Sequence, residues 1–271
     1  MRIPLEDNFA DIIGKAQRGL GLSDTDLETR AGVSESDLVV LKEGTFDPSV
    51  LRSLAPVLGL NTEALVALGA GTYSPEDISL CGLECFNTPF TDMTVNSYLV
   101  WDDATKEAAA FDTGADATPM LEFLRERGLT LKSLFITHTH GDHIFDIDRL
   151  VEKTGAEVFV GNREPAPEGT LAFEAGKEFS PGSLTIGTRL TWGHSQGGIT
   201  YVVRGLEKPV AVVGDAVFAG SMGGGGFSYA DALRTNRSEI MTLPDDTILA
   251  CGHGPLTTVG EQKISNPFLA S

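Results

Sequence analysis

The periodicity of apolar positions changes once along the chain. Over residues 8–69 apolar side chains recur at three- and four-residue intervals, a pattern that predicts several short helices and no strands. Leu27 follows an acidic turn begun by Ser23, and Ala31-Gly32-Val33 interrupts the stripe. Ser34 with Asp37 three positions later has the form of a helix N-terminal cap, and Leu38 and Leu41 carry the apolar stripe on to Glu43-Gly44. Leu51, Leu54, Ala55 and Leu58 mark a helix over 48–58; Gly59-Leu60-Asn61 ends it, and 62–68 gives one more short piece. The Gly- and Pro-containing stretch around 69–75 reads as a connection. The expected organisation is a small all-α domain over 1–70, a linker over 71–77 and a second domain over 78–271.

In the second domain the apolar residues gather into short runs, and the expectation becomes α/β. Strands are predicted over 78–86, 97–101 and 108–111, a helix over 120–127, and a buried strand at 134–136. A helix over 144–154 and a strand over 157–160 follow. Residues 161–182 are polar and Gly/Pro-rich, with a short edge strand over 171–173. Two or three strands are expected between 184 and 203, then buried strands over 210–213 and 247–250.

The ends of these runs carry the chemistry. The 134–136 run stops in Thr137-His138-Thr139-His140-Gly141-Asp142-His143. An extended backbone through Thr139 turns His138 and His140 to the same side, and Gly141 permits a sharp turn that sends Asp142 and His143 toward a second nearby point. His194 and His253 each lie in a glycine-flanked turn after a predicted strand, and Asp215 ends the 210–213 strand. All five histidines of the chain therefore sit in loops of this kind, where neutral imidazoles serve as metal ligands on rigid supports.

Composition narrows the partners. A net charge of −18 argues against nucleic acid or an anionic membrane surface. Cys81, Cys85 and Cys251 are too few for a disulfide framework, and no apolar stretch is long enough to span a bilayer, so a cytoplasmic protein is expected.

The motifs His138-Thr139-His140-Gly141-Asp142-His143, Gly193-His194, Gly214-Asp215 and Gly252-His253-Gly254-Pro255, in that order, resemble the metallo-β-lactamase superfamily, and more closely its glyoxalase II-like branch. The resemblance implies an αβ/βα sandwich. It implies two divalent metal ions, the first held by His138, His140 and His194, the second by Asp142, His143 and His253, with Asp215 bridging. Zinc is the first choice on ligand type, and iron or manganese suits the same set. The implied activity is metal-dependent hydrolysis, through a metal-bound hydroxide, of a thioester or related small ester, with Asp142 and Asp215 as catalytic carboxylates. An iron-dependent persulfide dioxygenase is the alternative within the same branch. The arginine that usually follows the Gly214-Asp215 motif is missing, so Tyr229 and Lys263 become the candidates for substrate contact, and the glycine run 223–226 reads as a flexible lid.

Residues 1–70 resemble the helix-turn-helix domain of phage-repressor-type regulators. That resemblance implies a DNA-reading helix over 34–43, but Glu35 and Asp37 would face phosphate there. The expectation is a domain used for homo-oligomerisation or for covering its neighbour, with a DNA-binding regulator whose metal domain senses a ligand as the remaining alternative.

Overall fold

The computed structural model describes residues 3–270. Five helices come first: α1 (Phe9–Leu20), α2 (Asp24–Ala31), α3 (Glu35–Lys42), α4 (Pro48–Val57) and α5 (Thr62–Gly69). Local chemistry fixes their ends. Asn8 and Ser23 form capping boxes with Asp11 and Asp26, Ser34 caps α3, and Asp47 caps α4 just before Pro48.

Two six-stranded sheets follow. The first runs β1 (Leu83–Phe90), β2 (Met93–Trp101), β3 (Glu107–Phe111), β4 (Thr130–Ile136), β5 (Glu157–Gly161) and β6 (Leu171–Phe173), antiparallel as far as β3 and parallel from β3 onward. The second runs β7 (Glu178–Phe179), β8 (Thr185–Leu190), β9 (Ile199–Arg204), β10 (Val210–Gly214), β11 (Ile248–Cys251) and β12 (Thr257–Thr258), with β10 and β11 parallel. The remaining helices are α6 (Thr118–Arg127), α7 (Gly141–Ile144), α8 (Ile147–Thr154), α9 (Tyr229–Thr235), which runs on into a π-helical turn (Asn236–Ile240), and α10 (Val259–Ser265).

The two-residue period of a strand divides the apolar residues between layers. Val210 and Val212 of β10 join Phe111, Phe135 and Tyr201 in the core between the sheets. Leu134 and Ile136 of β4 face outward, against Met120 and Leu124 of α6 and Leu150 of α8. On the second sheet, Ala211 and Val213 face outward into a cluster that also contains Ile12, Ile13, Leu51 and Leu54 of the N-terminal helices and Phe268 near the C-terminus. The molecule is thus an α/β metallo-β-lactamase-like sandwich preceded by an all-α bundle, and that bundle packs on the outer side of the second sheet together with α9 and α10. Each of its fully buried isoleucines and leucines contributes about 1.5–3 kcal/mol by leaving water.

Several elements differ from expectation. The first strand begins at Leu83, after a turn at Gly82, and extends through Pro89; an edge position tolerates the missing N–H. The expected helix over 144–154 is broken after Ile144. Asp146 Oδ2 there accepts the Ala117 N–H at 2.8 Å, and the Asp146 N–H goes to Thr113 Oγ1 at 3.1 Å. Helices α9 and α10 are only seven residues each, too short for their periodicity to stand out.

Candidate metal centre

Strand ends aim the candidate ligands. His138 and His140 leave β4, Asp142 and His143 lie in the single turn of α7, His194 sits between β8 and β9, and Asp215 and His253 follow β10 and β11. Two groups of donor atoms result, His138/His140/His194/Asp215 and Asp142/His143/His253.

In the first group His138 Nε2 and His194 Nε2 stand 3.0 and 3.1 Å from His140 Nδ1. Asp215 Oδ2 is 3.4 Å from His194 Nε2 and 3.9 Å from His138 Nε2. Around a tetrahedral ion with bonds of about 2.0–2.1 Å, donor atoms stand about 3.3 Å apart, so this set has the size of such a shell. In the second group His143 Nε2 and His253 Nε2 lie 3.5 and 3.3 Å from Asp142 Oδ2. Asp215 serves both: its Oδ1 is 3.2 Å from His143 Nε2, while its Oδ2 also approaches His253 Nε2 at 3.5 Å.

The residues fit metal ions on a further ground. His143 Nε2 and Asp215 Oδ1 are buried and, although 3.2 Å apart, are not aligned for a hydrogen bond with each other or with any other group. Such orphaned atoms are costly unless something else satisfies them, and both point into the cluster.

Each ligand ring except that of His140 is oriented from behind. His143 Nδ1 bonds Asp112 Oδ2 at 2.8 Å, and Asp112 is itself fixed by the Thr137 N–H at 2.8 Å and Thr137 Oγ1 at 2.7 Å. The Thr137 hydroxyl also lies 3.1 Å from His138 Nδ1. His194 Nδ1 donates to the Gly224 carbonyl at 2.9 Å, and His253 Nδ1 donates to the Thr94 carbonyl at 2.7 Å. These contacts leave the second nitrogen of each ring free for a cation. Glu164 joins two ligand loops, accepting from Thr139 N (3.1 Å), Thr139 Oγ1 (2.9 Å) and Gly197 N (2.7 Å).

The electrostatics match. Burial disfavours a charged His143, yet the Asp215 and Asp112 carboxylates outweigh it and lift the imidazole to about 10. His253, also opposed by burial, is lifted to about 11 by Asp142 and Asp215. Burial, reinforced by His143, holds His138 well below the ordinary histidine range, and burial lowers His194. Asp215 stays well below the usual carboxylate range against its burial, through His143 and His253. The carboxylates thus favour positive charge at this point, which divalent ions would supply.

The expected lid is packed at its start, at Gly223, and more open further on. A Cβ on Gly223 would lie 2.1 Å from the Asp215 carbonyl oxygen and 2.7 Å from His194 Nδ1, so glycine is required for the loop to pass behind the ligands. Gly224 supplies the carbonyl that orients His194. Neither expected substrate contact lines the cavity beside the cluster. Lys263 Nζ pairs with Asp245 at 2.6 Å, and the Tyr229 ring is buried, edge-on to Phe268 and directly under Gly19. Both side chains are engaged in surface pairing or packing instead. What sequence reasoning missed is Asp112 as the partner of His143, Glu164 as the loop staple, and the basic residues of α1 in the cavity wall. Asp112 left a weak signal, as an acid directly after a strand; the other two left none.

The metallo-beta-lactamase superfamily model matches residues 90–253, and the chain belongs to that superfamily. Over 207 residues it is 31% identical to the hydroxyacylglutathione hydrolase GloC of Haemophilus influenzae, covering 68% of this chain and 96% of the relative. Among solved structures it is similar to ETHE1 from Myxococcus xanthus, with TM-score 0.61, 28% identity and coverage of 69% and 84%. It is likewise similar to the BLEG-1 B3 metallo-beta-lactamase, with TM-score 0.60, 30% identity and coverage of 69% and 100%.

Proposed function

We propose that the protein is a binuclear metal hydrolase acting on a small thioester. The observation that carries this reading is Asp215, whose two carboxylate oxygens face the two donor groups at once. His138, His140 and His194 would hold one ion, and Asp142, His143 and His253 the other. Zinc is proposed from the nitrogen-rich ligand set, which also accepts iron or manganese. When bound, a pair of such ions supplies Lewis acidity and lowers the pKa of water toward neutrality.

The chain's own residues supply the rest. Asp215 fixes the spacing of the two donor groups. Asp142 is held below the usual carboxylate range, against its burial, by His253 and His143, so it stays ionised and can orient a water molecule. No protonated side chain is required for the leaving group if it is a thiolate, whose reference pKa is about 8.5. A hydroxyacylglutathione, the substrate class named for the Haemophilus relative, is itself a thioester. We assign the N-terminal bundle to covering the second sheet rather than to binding nucleic acid, since α3 opens with Glu35 and Asp37.

The test is elemental analysis of protein purified without added metal, with a thioester panel assayed on the same sample. Near two metals per chain with turnover, both lost in Asp215→Ala, supports the reading. One iron per chain, no hydrolysis, and oxygen uptake on a persulfide overturns it in favour of a dioxygenase.

A further inference from the structure

Beside the donor cluster lies a cavity of about 490 Å³, within the range of small-molecule sites. One wall is the metal domain, through His140, His194 and the glycine loop that ends at Phe227. The opposite wall is the N-terminal bundle, through Lys15, Arg18 and Gly19 of α1. Among the described residues no carboxylate lines it, although the chain carries a net charge of −18.

The two cations differ in kind. Lys15 is tied down: its Nζ bonds the Asp7 carboxylate and the Met222 carbonyl (2.9 Å), and it lies 5.1 Å from the centroid of the Phe218 ring. Asp7 in turn accepts from Ser221 Oγ at 2.5 Å, so this ion pair fastens the start of the chain to the loop after Asp215. Arg18 is exposed and has no ion pair or side-chain hydrogen bond among the described residues. Its guanidinium folds back over Gly14, where a Cβ would meet Nη1 at 3.0 Å. The helix that carries it is held close to the cavity: a Cβ on Gly19 would lie 2.2 Å from Cγ of Tyr229, so α1 rests on that ring with no gap.

We propose that Arg18 is an anion-recognition residue of the active-site cavity, so that the N-terminal bundle selects thioesters bearing a carboxylate remote from the scissile bond. The selection rests on the hydrolase reading above; the anion site does not. A guanidinium is the appropriate group, being permanently charged and able to grip a carboxylate with two parallel N–H donors. It also opposes, at the point of entry, the repulsion that so acidic a protein exerts on an anionic substrate. The neighbouring Lys15, largely neutralised by Asp7, positions the helix and adds less to the attraction. Phe227, 61% exposed, offers an apolar surface in the same cavity for the uncharged part of the substrate.

The test uses the full chain, loaded with metal, and a matched pair of substrates: 3-(acetylthio)propanoate and its neutral methyl ester. Wild type is expected to favour the anion in kcat/KM by about tenfold, a preference that falls toward unity in Arg18→Ala and is partly restored in Arg18→Lys. In parallel, 3-(methylthio)propanoate, which cannot be hydrolysed and has no thiol, is titrated calorimetrically; its Kd should rise about tenfold in Arg18→Ala. Turnover of both esters with the same ratio in wild type and variant overturns the inference and leaves the hydrolase reading standing. Failure of wild type to turn over either ester counts against the hydrolase reading, and the titration then decides the anion site. Weaker binding in Arg18→Ala upholds it, and equal or undetectable binding in both proteins overturns it. Thermal melting of each variant shows that an effect is not a loss of fold.

Discussion

Asp112 and His143 stand 2.8 Å apart, carboxylate oxygen to ring nitrogen, across 31 positions of sequence. Asp112 occupies the left-handed backbone region, at φ 56°, an unfavourable conformation for a residue other than glycine and one that aims its carboxylate under the donor cluster. Replacing it by asparagine keeps the volume and removes the charge that fixes the His143 tautomer. Asp112→Asn is expected to weaken the second metal by about 10- to 100-fold while leaving the first less affected. Chelator competition on the purified variant would show this, and unchanged affinity at both sites would refute it.

Glu164 should matter more for stability than any other acid in the irregular stretch after β5. It is buried and accepts three hydrogen bonds from two different ligand loops. Glu164→Ala strands those donors and is expected to destabilise the fold by about 2–3 kcal/mol. Urea unfolding tests the figure; a change below about 0.5 kcal/mol would mean that water replaces the carboxylate at no cost.

The glycine run separates a packed loop from a mobile lid. Gly223→Ala places a methyl group against Asp215 and His194, and is expected to abolish metal retention or folding. At Gly224 a Cβ would meet nothing within 4 Å, so Gly224→Ala should stay within about 0.5 kcal/mol of wild type in stability. Equal effects of the two substitutions on melting temperature and metal content would contradict the packing described here.

A pH-dependent contribution is expected far from the metals. Asp102 accepts from Ala104 N at 2.9 Å and Ser183 N at 2.8 Å, joining the turn after β2 to the segment before β8. These backbone hydrogen bonds pull its pKa down to about 2. Because the folded value lies below the unfolded one of about 3.9, the stabilisation is present above pH 4 and is lost as pH falls toward 2. Asp102→Asn should therefore be less stable than wild type at neutral pH, with the difference shrinking through that acidic window. A gap independent of pH between 5 and 2 would rule the carboxylate out as its source.

Much of this arrangement was legible in advance for a simple reason. Short apolar runs end abruptly in His138, Asp215 and His253, and the rarity of histidine elsewhere makes their convergence readable without coordinates. Contacts between distant surfaces are not written in periodicity. Glu164 lies in a stretch with no pattern, and its three donors are two ordinary backbone amides and a threonine hydroxyl. Arg18 reads as one polar position on a helix, and only the docking of α1 on Tyr229 brings it to the cavity. Lys263 and Tyr229 show the reverse: reactive residue types whose neighbours, Asp245 and Phe268, occupy them in packing.

The shared cluster of Ile12, Ile13, Leu51 and Leu54 with Val213, Leu249 and Phe268 makes the bundle dependent on elements far along the chain. The N-terminal helices share that cluster with β9, β10, β11 and the segment after α10, and the Asn61 N–H donates to the carbonyl of Pro267 at 2.7 Å. A bundle separated from those elements would therefore carry an incompletely covered apolar face. The stability of the helical bundle is thereby tied to that of the second sheet, and the two are expected to unfold together.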